Sequence, residues 1–201
     1  MAKITNYTTL QTEVANWLNR SSYSTDVPGW VQNAEDRINR EIRTPDMEEI
    51  ATGTTSDGSI ALPTRFIEPI DLFILVGGEY YPLAYNLYNR IRNSFSTSGE
   101  PKYFTERDGE LIVAPNPDGT YTYELLYYQA FDDLDSTATN GLLTAHPDIY
   151  LSASLSEANL FLKDLEQWQV WEGKYQELKR SVNKSYSDRK YPSGGLQMVS
   201  A

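Results

Sequence analysis

The sequence contains no cysteine and only one histidine, His146. This excludes disulfides, thiol nucleophiles and metal sites built from cysteines or several histidines. His146 precedes Pro147, which makes it a better candidate for a helix start than for a general base. We therefore predict a protein without catalytic residues, metal centre or cofactor. The lack of cysteine also fits synthesis in a reducing cytosol.

Long apolar segments are absent as well. No stretch approaches the ~20 apolar residues that a membrane span requires, and the N-terminus becomes polar at once, which predicts no secretion signal. With 40% hydrophobic and 22% charged residues in a chain of 201, the composition is that of a folded protein rather than a disordered one. The length suits one domain, or one domain with an elaborated insert, and no contact with a membrane is expected.

Positive charge is scarce overall, since the net charge is −11. This argues against a general nucleic-acid binder, because phosphate contacts need lysine and arginine. The segment Lys174–Tyr191 is the exception, with six basic and two acidic residues, a local charge of +4 that leaves −15 for the rest. A solvated helix with a basic tip explains this asymmetry as well as a steering surface does. The candidate steering residues are Lys179, Arg180, Lys184, Arg189 and Lys190.

The pattern along the chain predicts an α+β fold. Apolar spacings of three and four predict helices in residues 1–46 and 132–186, which we expect to pack as an antiparallel-type bundle. Residues 47–131 are rich in β-formers and turn signals, and they predict an inserted sheet or small sandwich with one embedded helix from Leu83 to Phe95.

The strongest helical periodicity lies between Leu165 and Val182. We expect its aromatic and apolar residues to be buried against the N-terminal helices: Trp168, Trp171, Tyr175 and Leu178. Residues 187–201 predict an extended, flexible tail, because Pro192 and the following glycines disfavour a helix.

The fifteen tyrosines offer one alternative function. Nine of them lie between Tyr80 and Tyr128, and Tyr121, Tyr123 and Tyr127 share one face of a predicted strand. Ordinary sheet packing explains this pattern, but a carbohydrate-binding or tail-fibre-type module with an aromatic platform would use it too. A third hypothesis is a hydrolase with a carboxylate pair, since Asp132, Asp133 and Asp135 crowd one connector, although a solvated acidic loop, or loose binding of a divalent cation, explains them as well.

Two stretches resemble a known family. Residues 30–43 contain Ala34-Glu35-Asp36-Arg37-Ile38-Asn39-Arg40, and residues 58–68 contain Gly58-Ser59-Ile60-Ala61-Leu62-Pro63-Thr64-Arg65-Phe66. They are similar to the Ala-Glu-x-Arg-Ile-x-Arg helix and the Gly-x-Ile-x-Leu-Pro-x-x-Phe strand of head-to-tail connector adaptors of tailed bacteriophages, of the podovirus tail-tube and portal adaptor type. The order of helices, β-insert, late helices, basic segment and glycine-containing tail is also similar.

The resemblance implies a structural virion protein of the phage neck, synthesised in the host cytoplasm. It implies a homo-oligomeric ring of about twelve copies that joins the portal protein to the tail nozzle protein, with DNA passing non-specifically through the channel.

It also implies that the C-terminal segment reaches the portal. The expected portal-binding residues are Tyr191, Gly194, Gly195, Leu196, Met198 and Val199. The mixed charges of the second helix suit either intrahelical pairs or a subunit interface between ring copies. The candidate interface residues are Glu35, Arg37, Arg40, Glu41 and Arg43.

Overall fold

A computed structural model describes residues 3–190 of the chain. Within them lie seven α-helices and seven β-strands, so the α+β prediction is confirmed. The chain divides into two compact units. A helical unit is built from the two ends of the chain, up to Asp46 and from Phe131 onward, and a sheet unit comprises Met47–Ala130.

The helical unit contains six of the helices. They are α1 (Tyr7–Leu18), α2 (Val27–Glu41), α4 (Leu134–Thr137), α5 (Gly141–Ala145), α6 (Pro147–Phe161) and α7 (Leu165–Lys190). Helix α1 begins at a reciprocal cap, in which the Asn6 side chain accepts from the Thr9 amide and the Thr9 hydroxyl accepts from the Asn6 amide. This satisfies two amide groups that the first helical turn leaves without a partner.

Helix α6 is the centre of this unit, because α1, α2, α5 and α7 all contact it. Ten of its fifteen residues are buried, which explains why its sequence is apolar and small on every side rather than on one stripe. The buried core around α6 includes Leu10, Val14, Trp30, Val31, Ala34, Ile38, Leu142, Leu143, Ile149, Tyr150, Leu155 and Ala158. The helices from both ends of the chain therefore bury their apolar residues against this one late helix.

Helix α7 differs from its prediction at its first half. Tyr175 and Val182 are buried, but Leu165 is exposed and Trp168 is only half-buried. Trp171 is half-buried too, and its ring meets the edge of Trp17 at 5.0 Å. Leu178 is half-buried as well. Of the four residues predicted to be buried, only Tyr175 is therefore fully buried, and the others keep part of their surface exposed.

The sheet unit is one seven-stranded sheet. Its strands are β1 (Glu48–Thr55), β2 (Ser59–Ala61), β3 (Phe66–Val76), β4 (Glu79–Tyr85), β5 (Tyr103–Arg107), β6 (Glu110–Ala114) and β7 (Tyr121–Gln129). Their order is β1-β7-β3-β4-β5-β6-β2, all antiparallel except the β4–β5 pair. The two outer strands, β1 and β2, are consecutive in the chain and are joined by a three-residue turn, so the sheet curves until it is nearly closed.

One face of the curved sheet holds its own apolar core. The buried residues are Ile60, Leu72, Ile74, Leu83, Phe104, Leu111, Val113, Leu125 and Tyr127. Tyr121 and Tyr123 pack against this core, so they belong to the interior and not to an exposed platform. Tyr123 lies over Gly53 of β1, where a Cβ atom would meet its hydroxyl oxygen at 2.6 Å. Ordinary sheet packing is thus the correct interpretation of these strand tyrosines.

The predicted helix from Leu83 to Phe95 is wrong over its first part. The turn at Gly77 and Gly78 makes β3 and β4 a hairpin, and the pairing of Leu72 with Leu83 holds that residue in a strand. Only Tyr88–Ile91 (α3) is α-helical, followed by the 3-10 turn Arg92–Ser96. The predicted start of the tail at residue 187 is wrong, because α7 continues as a helix to Lys190. The predicted tail residues from Tyr191 onward lie outside the described residues, as do the side chains of Arg189 and Lys190.

Candidate interaction surfaces

Arg37 of α2 is the centre of an ion cluster inside the helical unit. Its guanidinium bonds Glu172 of α7, with Nη1 at 2.8 Å from Oε2, and also contacts Glu41 and Glu157 at 3.3 and 3.5 Å. It lies over the Tyr175 ring, 4.4 Å from the ring centroid. The side chain is only 15% exposed. Arg37 therefore joins α2, α6 and α7 within one chain.

The partners of Arg37 are themselves held by further bonds. Glu172 accepts from Ser156 and Gln176 at 2.8 Å each, and the Arg37 hydrogen bond holds the pKa of Glu172 down, at about 2. Burial would raise the pKa of Glu41, but the Lys179 hydrogen bond at 2.7 Å and the Arg37 charge lower it below its usual value. Both carboxylates therefore stay ionised at neutral pH, which keeps the cluster intact.

The predicted interface and steering residues consequently differ in whether their side chains are exposed to a partner or bonded within the chain. Of the predicted interface set, Arg40 is exposed, whereas Arg43 bonds backbone carbonyls at the end of α2, including Ile42 at 2.7 Å. Of the steering set, Arg180 and Lys184 are exposed, but Lys179 is engaged with Glu41. A contact with a neighbouring molecule through these residues remains a prediction.

Glu35, another predicted interface residue, is nearly buried, with 8% exposure. Its Oε1 accepts the amide of Leu134 at 2.8 Å, which fastens the acidic connector to α2. An adjoining polar cavity of about 270 Å³ is also lined by Tyr7, Asp36, Asp133 and Asp135. Burial, with added repulsion from Asp133, Asp135 and Asp36, raises the pKa of Glu35 to about 7. Burial raises the pKa of the nearby Tyr7 and Tyr150 hydroxyls, and the negative charge of Glu35 adds to this effect.

Converging acids are what a carboxylate-pair hydrolase would need. Here, however, the Glu35 carboxylate is committed to a backbone amide and lies beneath the surface, as in a structural cap. Within the described part of the chain no group of acids and histidine is arranged to hold a metal ion. His146 is the capping residue between α5 and α6. Its ring meets the Tyr186 ring edge-on, with 6.4 Å between the centroids. The arrangement therefore favours a structural connector over a catalytic cleft.

We expect the helical unit to lose about 2 kcal/mol of stability as the pH rises from 5 to 8. The unfolded chain keeps the pKa of Glu35 near 4.5 while folding raises it to about 7. The folded state thus binds the proton more tightly, and its advantage is lost as the pH passes through the folded pKa. Urea unfolding at each pH measures the effect. Glu35→Gln should flatten the curve, whereas the exposed control Glu166→Gln should not; identical curves for all three proteins would contradict the assignment.

An apolar surface lies at the turn between α6 and α7. Its residues, here called the α6–α7 tip, are Leu160, Phe161, Leu165 and Val170, and all four are at least half exposed. Beside it an open groove of about 530 Å³ is lined mainly by Trp17, Leu151, Val170 and Trp171. Exposed apolar patches of this kind mark contacts with other proteins.

The sheet unit exposes five tyrosines and one leucine along β4, in the segment after it and at the start of β5. They are Tyr80, Tyr81, Tyr85, Leu87, Tyr88 and Tyr103. The strand pattern did not single them out from the buried tyrosines of β7. The sequence signal for their exposure was the tyrosine pair of β4 next to Pro82, because proline is tolerated at strand edges. Of the β4 residues, only Ala84 and Tyr85 pair with β5.

A family model described as SU10 adaptor protein matches residues 5–197, nearly the whole chain. No curated protein matches the chain. None of the helices in the described range is long and apolar enough to cross a membrane. The match covers both the helical and the sheet unit, so it concerns the architecture as a whole.

Proposed function

The chain belongs to the SU10 adaptor protein family, a family of phage head-to-tail adaptors, and from this we propose that it forms a ring that joins the portal to the tail nozzle around the DNA channel. Family membership makes it a structural component of the phage neck and virion, and favours a non-catalytic role. The finer proposal is a ring of about twelve copies, a number implied by the resemblance to podovirus-type adaptors; heterologous contacts that close on themselves generate such rings. The protein is synthesised in the host cytoplasm before assembly.

The surfaces of the helical unit support this proposal. The α6–α7 tip is the kind of patch that a partner protein covers. The net charge of −11 suits a channel through which DNA slides without sticking. In the proposed ring the helices of residues 1–46 and 132–186 form an antiparallel-type bundle. Residues 47–131 form the insert, and the tail, predicted as residues 187–201, follows the end of α7.

The tail is the proposed portal anchor. Helix α7 carries the chain as far as Lys190, and the apolar residues Leu196, Met198 and Val199 follow it in the sequence. The basic side chains Arg180 and Lys184 are exposed on α7 and would steer the tail towards an acidic partner.

Negative-stain microscopy of the protein mixed with the portal protein of the same phage tests the proposal. We expect a second ring stacked on the portal, and a chain ending at Lys190 to bind at least tenfold more weakly in co-sedimentation. A chain ending at Tyr186 should be weaker still, since it also lacks Arg189 and Lys190. Absence of a ring with the full chain would refute the ring. Undiminished binding by both truncated chains would refute the tail anchor alone.

The alternative of a carbohydrate-binding or tail-fibre-type module has weaker support. Three strand tyrosines that suggested it face the sheet's own core or pack against it. Of the exposed tyrosines, Tyr81 donates its hydroxyl to Glu79, and the Tyr88 ring is covered by the Arg107 guanidinium, 4.6 Å from the ring centroid.

A further inference from the structure

The segment around α3 presents arginines and aromatic residues together. This set, here called the α3 patch, consists of Tyr85, Leu87, Tyr88, Arg90, Arg92 and Arg107. Tyr85 and Leu87 are 53% and 56% exposed, so both can contact a partner. Arginine, tyrosine and other aromatic residues are the types enriched at protein interfaces.

The α3 patch is held rigid from beneath. Ile91 of α3 is buried, and α3 contacts β5. The Tyr88 ring stacks on Phe95 with centroids 5.3 Å apart, and the Arg107 guanidinium lies 4.6 Å from the Tyr88 centroid. Tyr85 meets Phe104 edge-on at 5.3 Å. A partner would therefore meet side chains that are already ordered, which lowers the entropic cost of binding.

The charges of the α3 patch are not balanced within the chain. Among the described residues, neither Arg90 nor Arg92 makes an ion pair, while Arg107 pairs only with its neighbour Asp108, at 2.9 Å. Both Arg90 and Arg92 are exposed. Between Tyr85 and Arg107 the sequence has four basic and two acidic residues, whereas the whole chain has 28 acidic and 17 basic residues. The patch is thus a positive island on an acidic protein.

This imbalance points to an acidic protein surface as the partner. DNA is the less suitable partner, because the surrounding net negative charge opposes phosphate, and because the exposed leucine and tyrosines need an apolar counterpart. The chain itself supplies a partner of the required charge. In a ring the surface on one copy must meet a different surface on the next, so a positive patch facing an acidic neighbour satisfies the geometry of a heterologous contact.

We propose that the α3 patch of one copy docks against an acidic surface of a second copy of this chain. This inference rests on the proposed ring, and it names one contact between neighbouring copies in that ring. Arg90 and Arg92 supply the electrostatic attraction, and Leu87 and Tyr85 supply the apolar contact. Tyr88 is held between Phe95 and Arg107 at the centre of the patch.

Sedimentation of the full chain at up to millimolar concentration tests the proposal. We expect the full chain to self-associate, and this association to weaken as the salt concentration rises. The double variant Arg90→Glu with Arg92→Glu should weaken self-association at least tenfold. Lys3→Glu with Arg20→Glu is the matched control, since both residues are exposed and the change in charge is the same. Leu87→Ser provides a variant that leaves the charge unchanged, and it should also weaken association. Circular dichroism checks that each variant is folded.

A photocrosslinker at position 87, in a mixture of ¹⁵N-labelled and unlabelled chains, identifies the partner. Mixed-isotope crosslinks to acidic segments support the proposal. Several results would overturn it: a wild-type chain that stays monomeric, equal association by patch and control variants, or a patch that retains a labelled DNA duplex and no second copy. The ring on portal is measured separately with the wild-type chain. A ring that patch variants still form would therefore reject this contact while leaving the proposed function intact.

Discussion

Tyr175→Ala should lower the free energy of unfolding by about 3–5 kcal/mol, the range for removing a large buried aromatic side chain. Tyr175 is fully buried in α7, its hydroxyl donates to Glu41 at 3.2 Å, and Arg37 covers its ring. The change therefore leaves a cavity and removes two polar contacts of the same cluster. Urea denaturation followed by circular dichroism measures the loss.

Two variants separate the causes. Tyr175→Phe keeps the ring and should cost only about 1 kcal/mol, the value of one hydrogen bond. Trp171→Ala should cost about 1–2 kcal/mol, because its ring is half-buried and part of its surface stays in water. If Trp171→Ala proved as damaging as Tyr175→Ala, the core of the helical unit would lie nearer the start of α7 than the structure places it.

Arg37→Glu should destabilise the helical unit by at least about 3 kcal/mol, the cost of breaking a largely buried ion pair. The new carboxylate would face Glu172, Glu41 and Glu157 with no cation to balance them except Lys179 at Glu41. The melting temperature should fall most at neutral pH and recover in part towards pH 4, where added protons relieve the repulsion.

Arg40→Glu is the control for that experiment and the test of the predicted subunit interface. Arg40 lies one turn along α2, is exposed and makes no ion pair within the described chain. It should leave the melting temperature unchanged and weaken ring assembly on portal. Rings that form equally well at low and high salt would show that this face of α2 is not an interface. A variant that reverses both arginines together would confuse misfolding with failed assembly.

Much of the fold follows from local sequence. The helices α1, α2 and α6 lie in the two ranges predicted as helical, and all seven strands lie in the range predicted as β-rich. The bounds of strand β1 do not follow from the local pattern, because Glu48–Thr55 is polar and is held as a strand by its pairing with β7, more than sixty residues later. The helix predicted from Leu83 failed for the same reason, since a hairpin partner outweighs local propensity.

The surfaces were harder to predict than the fold. The charged residues of α2 read as a balanced, exposed helical face, yet Arg37 and Glu35 are turned inward. Only the arrival of α7 and of the acidic connector, both distant in sequence, gives those charges their partners. The basic segment has the same property, because Lys179 meets Glu41 across more than a hundred residues. A pattern of charge indicates that partners exist, but it does not say whether they lie inside the chain.

The insertion of the sheet unit between α2 and the acidic connector fixes an order of events during translation. The segment Met47–Ala130 is continuous, so the ribosome can release it as a complete sheet. The first strand and the last strand pair, Glu48 with Tyr128, so this sheet is sealed only when β7 emerges. Meanwhile α1 and α2 have no α6 to cover Leu10, Val14 and Val31, which remain open to water or to a chaperone. Synthesis thus finishes the inserted unit before the one that carries it.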